Sequence, residues 1–296
     1  MASLPYATRS GWPEEAQRRR HQVVLPSGIV AYRIYGPDAA PPDRTIVMLH
    51  GLRGDHHGLE PIVAHLPGHR VVVPDLPGFG ESPPLVEGRH DLAGYAAWTR
   101  EFHSTVAPGT VLLGHSFGSI VAAAAVAGGL EVPALVLVTP IAGSALAGPR
   151  QVLTRATVAL HRFAGALPEG VGTGLLRSRL FTRAASAAMV KTRDRELRAW
   201  IHAEHDRYFG GFADRRVLLE AFGASVSHGV DEFAARIDVP TLVVATELDD
   251  ITTPSEQRRL AGVFPDARLE LVTGTGHLTH YERPDAVAAH VRRFLV

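Results

Sequence analysis

Cysteine is absent from the 296-residue sequence, and lysine occurs once, as Lys191. Without cysteine the chain has no disulfide framework, no thiolate metal site and no cysteine nucleophile. Serine, histidine and carboxylates are therefore the side chains that remain for catalysis.

Long apolar runs and an excess of one charge are also missing. The longest apolar run, IVAAAAVA after Ser119, is far shorter than the ~20 residues that span a bilayer. Residues 1–20 contain charges and proline but no apolar core of signal-peptide length. The formal net charge of +0 lacks the basic excess that a nucleic-acid surface needs. We therefore predict a cytoplasmic protein with a partly mobile N-terminal arm, no membrane insertion and no nucleic-acid partner.

Strand and helix patterns alternate along most of the chain. The segment HQVVLPSGIVAYRIYG alternates around a tight turn, as two short antiparallel strands would. Compact runs rich in β-branched residues follow at 45–49, 70–73, 110–113, 134–138, 241–245 and 268–272. Such runs are typical of buried parallel strands, and helical stretches lie between them. The pattern predicts an α/β fold with a mostly parallel eight-stranded sheet flanked by helices.

One interval interrupts this alternation. About a hundred residues separate the run ending at Val138 from the run starting at Thr241, whereas a βα loop usually takes about 2 to 6 residues. The interval has the apolar and charged spacing of helices and no β-branched runs. We predict a helical cap over residues 141–230, inserted into a core formed by residues 1–140 and 231–296.

The stretch GHSFGS, residues 114–119, follows the apolar run VLL. A sharp turn from strand to helix would expose the Ser116 hydroxyl, and side chains two positions before and after it would collide with their neighbours. Gly114 and Gly118 are then steric requirements of the turn. This pattern is that of a nucleophile elbow, with Ser116 as the nucleophile.

A nucleophilic serine needs a base and an acid that orients the base. The segment TELDD follows the strand TLVVA, so either Asp249 or Asp250 lies at the carboxyl end of a parallel strand. The segment TGTGHLTH follows the last strand and places His277 in a glycine-rich loop. Serine, acid and histidine occur in the chain order that α/β-hydrolases use.

Charge stabilisation is the remaining requirement of acyl transfer. The segment HGLRG, residues 50–54, directly follows the strand TIVML. Backbone N–H groups in such a loop can point at a developing oxyanion. We predict that the amides of Leu52 and Phe117 form the oxyanion hole, and that Gly51 lets the loop approach closely.

Together these motifs resemble the α/β-hydrolase fold enzymes with a helical cap, a family that includes esterases and carbon–carbon bond hydrolases. The resemblance covers most of the chain. Its motifs are HGLRG, PDLPGFGES at 74–82, GHSFGS, PTLVVATELDDITTP and GTGHLTHYERPDAV. It implies a capped serine hydrolase in which Ser116, an aspartate and His277 form the catalytic triad.

The same resemblance discriminates between the two aspartates and between chemistries. The family acid commonly stands three residues after a glycine that closes the seventh strand; Thr246 occupies that place here, and counting from it selects Asp249. Asp250 is the alternative, and otherwise we expect it to be a turn residue.

Dehalogenases and epoxide hydrolases carry aspartate where this chain has Ser116. Ring-cleavage-product hydrolases usually have tryptophan after the base, where this chain has Leu278.

The tripeptide DHH is a weak signal of a metal site. The tripeptide DHH at 55–57 is similar to a motif of metal phosphoesterases, but the companion acids of that family are not evident and the tripeptide trails the predicted oxyanion loop. We therefore predict no metal and no cofactor.

These features predict hydrolysis of a small, largely apolar ester of the carboxylesterase or lactonase type, through an acyl-enzyme. Two alternatives stay open: a carbon–carbon bond hydrolase of the ring-cleavage-product type, and a non-catalytic ligand-binding protein of the same fold. The sequence determines neither the natural small-molecule substrate nor the oligomeric state.

Overall fold

A computed structural model describes residues 19–146 and 151–296 of the chain. Nearly all of the predicted N-terminal arm, residues 1–18, lies outside this part. The described residues contain one eight-stranded sheet with the order β1-β2-β4-β3-β5-β6-β7-β8. The strands are β1 (Arg20–Leu25), β2 (Gly28–Tyr35), β3 (Thr45–Leu49), β4 (Arg70–Pro74), β5 (Val111–His115), β6 (Leu135–Val138), β7 (Thr241–Thr246) and β8 (Ala267–Val272).

The first two strands run antiparallel to their neighbours, and β3 to β8 are parallel to one another. The mostly parallel sheet predicted from the sequence is therefore confirmed. Its parallel strands all end at one edge, and the loops that leave this edge after β3, β5, β7 and β8 carry the motifs identified above.

Helices cover both faces of the sheet, and further helices form the segment between β6 and β7. They are α1 (Glu60–Val63), α2 (Leu92–Val106), α3 (Phe117–Ala127), α4 (Gln151–Ala166), α5 (Glu169–Leu176), α6 (Arg179–Met189), α7 (Arg195–Tyr208), α8 (Arg215–Ser227), α9 (Asp231–Ala234), α10 (Pro254–Ala261), α11 (Thr279–Glu282) and α12 (Pro284–Phe294). Short 3-10 helices span Pro42–Arg44 and His56–Leu59. None of the helices in the described ranges has both the length and the apolarity needed to cross a membrane. The cytoplasmic location stays a prediction.

The strands are apolar on both faces because each face has its own core. Val47 and Leu49 of β3 pack with α2 and α3 in one cluster, whereas Ile46 and Met48 pack with α1 and α12 in the other. Side chains alternate between the two faces of a strand, so a continuous apolar run fills both cores.

Six helices of the described residues, α4 to α9, lie between β6 and β7, and five of them, α4 to α8, fall where the sequence predicted a helical cap. Backbone hydrogen bonds join this insertion to the core: the Gly80 amide donates to the Gly211 carbonyl at 3.0 Å, and the Ala213 amide donates to the Gly78 carbonyl at 2.8 Å. The loop PDLPGFGES therefore contacts the insertion directly. The boundaries 141–230 stay a prediction.

Candidate active site

The turn between β5 and α3 is built around Ser116. This residue has φ 53° and ψ −119°, and such a positive φ is uncommon outside glycine. A Cβ on Gly114 would lie 2.3 Å from the carbonyl oxygen of Gly118, and a Cβ on Gly118 would lie 2.4 Å from that of Leu49. Both glycines are thus required by backbone contacts, as their spacing around the serine predicts.

A continuous chain of hydrogen bonds links Ser116, His277 and Asp249 across the carboxyl edge of the sheet. His277 Nε2 lies 2.8 Å from Ser116 Oγ, and His277 Nδ1 lies 2.9 Å from Asp249 Oδ2. Because a carboxylate only accepts, the Nδ1 proton faces Asp249 and Nε2 is left to accept from the serine hydroxyl. His277 and Asp249 are 4% and 3% exposed, so water hardly competes for these bonds.

Asp249 is held in place by its other oxygen. Asp249 Oδ1 accepts from the amides of Ile251 at 2.8 Å and Thr252 at 3.2 Å. The side-chain amide of Gln257 approaches Oδ2 at 3.4 Å. These donors orient the carboxylate so that Oδ2 faces His277.

Asp250 also lines the cavity beside Ser116 and His277, and it forms an ion pair with the insertion. Its Oδ2 accepts from Lys191 Nζ, in the segment between α6 and α7. Asp249 makes the turn in which an aspartate accepts from the amide two residues on, here that of Ile251. The expectation that Asp250 is a turn residue stays a prediction, and the structure adds an ion pair between its side chain and the insertion.

The amides of Leu52 and Phe117 are available as donors. Phe117 is the first residue of α3, where a backbone N–H has no acceptor inside the helix. Within residues 19–146 and 151–296, neither amide donates a hydrogen bond to another protein group. Leu52 belongs to the motif HGLRG, and Phe117 directly follows Ser116 in the motif GHSFGS. Their role in holding an oxyanion stays a prediction.

His50, whose role the sequence did not indicate, shapes the loop that carries Leu52. The amide of Leu76 donates to His50 Nε2 at 2.9 Å, so Nδ1 carries the proton and donates to the Gly51 carbonyl at 2.8 Å. Burial lowers the pKa of His50, which favours this neutral form. A Cβ on Gly51 would lie 3.2 Å from Cβ of Ser116, a tight contact that glycine avoids.

A cavity of about 340 Å³ opens between the sheet edge and the insertion, and both Ser116 and His277 line it. Its wall is mostly apolar and includes Leu59, Ile141, Met189, Phe209, Phe222 and Leu278. A small organic molecule would fit here with one end against the serine.

A profile of the alpha/beta hydrolase family matches residues 46–290, from β3 to the last helix. The chain belongs to the alpha/beta hydrolase family. The match confirms the resemblance found in the motifs, and it includes every element that carries Ser116, Asp249 and His277. Membership in this family supports a hydrolase.

Relatives of this alpha/beta hydrolase differ in their described activities. The chain is 32% identical over 122 residues to the magnesium-chelatase 30 kDa subunit of Rhodobacter capsulatus, a match covering 40% of each protein. It is 27% identical to the 2-hydroxy-6-oxononadienedioate/2-hydroxy-6-oxononatrienedioate hydrolase of Cupriavidus pinatubonensis, over 92% of this chain and 94% of the relative. The enol-lactonase of Burkholderia xenovorans has a similar fold, with a TM-score of 0.70 at 23% identity, covering 93% of this chain and 99% of the enol-lactonase.

Glu282, to which the sequence assigned no role, supports the loop of His277 in this hydrolase. Its Oε2 accepts from Thr275 Oγ1 at 2.6 Å and from the Gly276 amide at 3.3 Å. Its Oε1 accepts from the amides of Lys191 at 2.6 Å and Thr192 at 2.8 Å. One carboxylate thus ties the histidine loop to the insertion. The sequence signal was a lone acid five residues after His277.

The DHH tripeptide is compact in the structure. Potential ligand atoms of Asp55, His56 and His57 lie within 4.8 Å of one another, a grouping that could hold a metal ion. Nδ1 of His56 is hydrogen-bonded to Asp75 at 2.9 Å, and Nδ1 of His57 to Asp55 at 3.0 Å. Each imidazole therefore has only Nε2 left for a metal, and the absence of metal stays a prediction.

Three further histidines are buried close to the site. Burial lowers the pKa of His115 to about 3 and that of His205 to about 4. Burial, together with neighbouring histidines, holds the pKa of His280 well below 6.5. All three are neutral at pH 7 in the folded protein.

These histidines should make the fold acid-sensitive. Each has a folded pKa below its unfolded value near 6.5, so its contribution to stability is present above pH 6.5 and is lost as the pH falls toward the folded pKa. Between pH 7 and pH 5 we expect His115 and His205 each to cause a loss of about 2 kcal/mol in the free energy of unfolding.

Denaturant unfolding of His115→Gln at several pH values checks this expectation. The variant should lose about 2 kcal/mol less than the wild type between pH 7 and pH 5. Val138→Ala removes buried volume without a titrating group, so it should lower the stability equally at every pH. An unchanged pH dependence in His115→Gln would contradict the assignment.

Proposed function

We propose that this protein is a serine hydrolase that cleaves a small, largely apolar carboxylic ester, of the esterase or lactonase type, through an acyl-enzyme. The observation that supports this most strongly is the pair of hydrogen bonds at 2.8 and 2.9 Å that join Ser116 to Asp249 through His277. Nucleophile, base and orienting acid stand in the relation that acyl transfer requires.

In the first half of the proposed reaction, the Ser116 oxygen attacks the ester carbonyl while His277 Nε2 takes the hydroxyl proton. Asp249 stabilises the imidazolium that forms. The amides of Leu52 and Phe117 donate to the oxyanion, and His277 then protonates the leaving alcohol. The products of this half are the alcohol and a Ser116 acyl ester.

In the second half, water attacks the acyl-enzyme. His277, neutral again, accepts a proton from the water, and the same amides hold the second oxyanion. Collapse of this intermediate releases the carboxylic acid and returns the proton to Ser116 Oγ. The chemistry needs no metal or cofactor.

The cavity sets the proposed substrate class. Its volume of about 340 Å³ falls at the lower end of ligand sites, which run from about 300 to 1,000 Å³. Apolar side chains from the core and from the insertion form most of the wall. An acyl group of modest size, or a lactone ring, is the substrate that such a wall favours.

Carbon–carbon bond hydrolysis is the second candidate. Its support is the relative from Cupriavidus pinatubonensis, which is named as a hydrolase of 2-hydroxy-6-oxo dienedioates and aligns with 92% of this chain. Leu278 weighs against this reaction, because ring-cleavage-product hydrolases usually have tryptophan at the position after the base. A vinylogous diketone substrate of that type discriminates between the two reactions.

Pre-steady-state kinetics with 4-nitrophenyl butyrate test the proposal. We expect a burst of nitrophenol equal to the enzyme concentration, and an intact mass increased by one butyryl group in samples quenched during turnover. A parallel screen of lactones and of the vinylogous diketone ranks the substrates by kcat/KM. If the protein binds these compounds without a burst or turnover, the non-catalytic alternative replaces the proposal.

A further inference from the structure

An arginine is buried in the wall of the cavity, next to the predicted oxyanion loop. Arg53 directly follows Leu52, lines the cavity and is only 4% exposed. Its backbone has a φ of 65°, which non-glycine residues uncommonly adopt. Such a conformation persists where the surrounding structure holds it, so the position of this side chain is constrained.

The groups that surround the guanidinium are neutral. Nε donates to the Phe209 carbonyl at 3.2 Å and Nη2 donates to the Leu176 carbonyl at 2.8 Å, both at the carboxyl ends of helices in the insertion. The guanidinium carbon lies 5.2, 5.3 and 5.6 Å from the ring centroids of Phe181, Phe209 and Phe212. Helix dipoles and aromatic faces favour a cation here but carry no full negative charge.

No carboxylate neutralises Arg53 in the described part of the chain. None lies within 4.0 Å of its guanidinium, and Nη1 has no hydrogen-bond partner there. Asp55 and Asp250 also line the cavity, but Asp55 Oδ1 accepts from the amide and ring of His57, and Asp250 Oδ2 is paired with Lys191. Burial alone lowers the pKa of Arg53, to about 10, so the side chain still carries its charge at pH 7.

A buried cation without a counter-ion destabilises a protein, because water has been removed and no anion replaces it. Arginine is suited to bind a carboxylate, since its planar guanidinium presents two parallel donors to the two oxygens. A substrate that brought a carboxylate to this wall would satisfy the charge and the free donor together. Arg53 is among the residues that line the cavity, but Nη1 itself is buried, so a carboxylate reaches this donor only when a neighbouring side chain of the wall moves aside.

We propose that the substrate carries a carboxylate in addition to its scissile bond, and that Arg53 binds this carboxylate as the specificity-determining residue of the cavity. This inference rests on the proposed hydrolytic function of the same site. The substrate class is a half-ester of a dicarboxylic acid, or a lactone that bears a carboxylate, with an apolar chain between the two ends.

Matched esters test the preference directly. The 4-nitrophenyl half-ester of glutaric acid carries a terminal carboxylate, and 4-nitrophenyl 5-methylhexanoate replaces that carboxylate by an isopropyl group of similar shape. The succinate and adipate half-esters, with their branched neutral counterparts, cover shorter and longer chains. We expect the wild type to prefer the charged member of at least one pair in kcat/KM.

Substitution of Arg53 should remove this preference. A charged hydrogen-bonded contact is worth about tenfold to a hundredfold in binding, so the charged-to-neutral ratio of kcat/KM should fall by that factor in Arg53→Gln. Arg53→Lys keeps the charge but not the two parallel donors, and should retain an intermediate ratio. A purely structural role would lower kcat/KM for both esters equally and leave the ratio unchanged, which would overturn the proposal.

Arg177 provides the control variant. It also lies against the ring of Phe212, at 4.8 Å, and its Nη2 donates to the Phe212 carbonyl at 2.6 Å, but it does not line the cavity. Arg177→Gln removes an arginine from the same aromatic cluster, so it should keep the charged-to-neutral ratio of the wild type. A ratio that falls as far in this control as in Arg53→Gln would overturn the specific role of Arg53.

A binding measurement separates this inference from the hydrolytic function. In Ser116→Ala, which lacks the proposed nucleophile, glutarate should raise the melting temperature, and 5-methylhexanoamide, a neutral amide, should do so less. The added substitution Arg53→Gln should abolish the difference. Carboxylate binding that depends on Arg53, in a protein that hydrolyses no ester, would refute the proposed function and retain this inference. Ester hydrolysis with no effect of Arg53 on either readout would refute this inference alone.

Discussion

Replacing Ser116 by alanine is expected to lower kcat by about 10⁴-fold to 10⁶-fold on the best ester found, because attack then depends on water and only the oxyanion donors and substrate binding remain. The fold should persist, since an alanine side chain fills the same space apart from one oxygen. Steady-state kinetics, together with circular dichroism of both proteins, measure the two effects. Turnover within tenfold of wild type would remove Ser116 from the nucleophile role.

Ser225 is the matched control for that experiment. It is a second serine that lines the cavity, on α8 in the insertion, and it takes no part in the hydrogen bonds of Ser116. Ser225→Ala should change kcat by less than about tenfold, since it removes no interaction made in the transition state. An equal loss in both variants would show that turnover responds to any change in the cavity wall.

Replacing Asp249 by asparagine should lower kcat by up to ~10⁴-fold. Asparagine can accept from the same two amides, so the turn should survive, but its amide group carries no charge to stabilise the imidazolium. It can also present N–H to His277 Nδ1, which favours the wrong tautomer of the ring. The kcat of Asp249→Asn, measured beside its melting temperature, shows whether the loss is one of chemistry or of folding.

Asp250→Asn is the neighbouring comparison, with the same chemical change one residue away. It weakens the ion pair with Lys191. The side chains of Asp250 and Lys191 are 36% and 22% exposed, and a partly exposed ion pair contributes about 0 to 1 kcal/mol to the free energy of unfolding. We expect kcat within about tenfold of wild type. If Asp250→Asn is the more damaging substitution, the acid has been assigned to the wrong residue.

Backbone requirements made parts of the site predictable from sequence. Ser116 could be located because its turn excludes side chains at Gly114 and Gly118. This local constraint produces the recognisable motif GHSFGS. The sheet could be predicted because buried parallel strands are apolar on both faces and alternate with helices. The family match confirms the fold that these local signals indicate.

Contacts between distant segments were not predictable in the same way. Asp249 and Asp250 are adjacent and chemically identical, and only the fold shows that one faces His277 while the other faces Lys191. Arg53 belongs to a motif noted for its backbone, yet its burial depends on helices more than a hundred residues later in the chain. Such roles arise from tertiary contacts, for which a single sequence carries no periodic signal.

The ion pair between Lys191 and Asp250 places the single lysine side chain of the protein at the junction between the insertion and the sheet. An amine-reactive dye therefore has one lysine target, and it reacts only while the ammonium group is released from Asp250 and deprotonated. The labelling rate at fixed pH, compared between the wild type and Asp250→Asn, reports how often this junction opens. The protein thus carries a natural attachment point for a fluorescent reporter of movement between the insertion and the sheet, without any engineered residue.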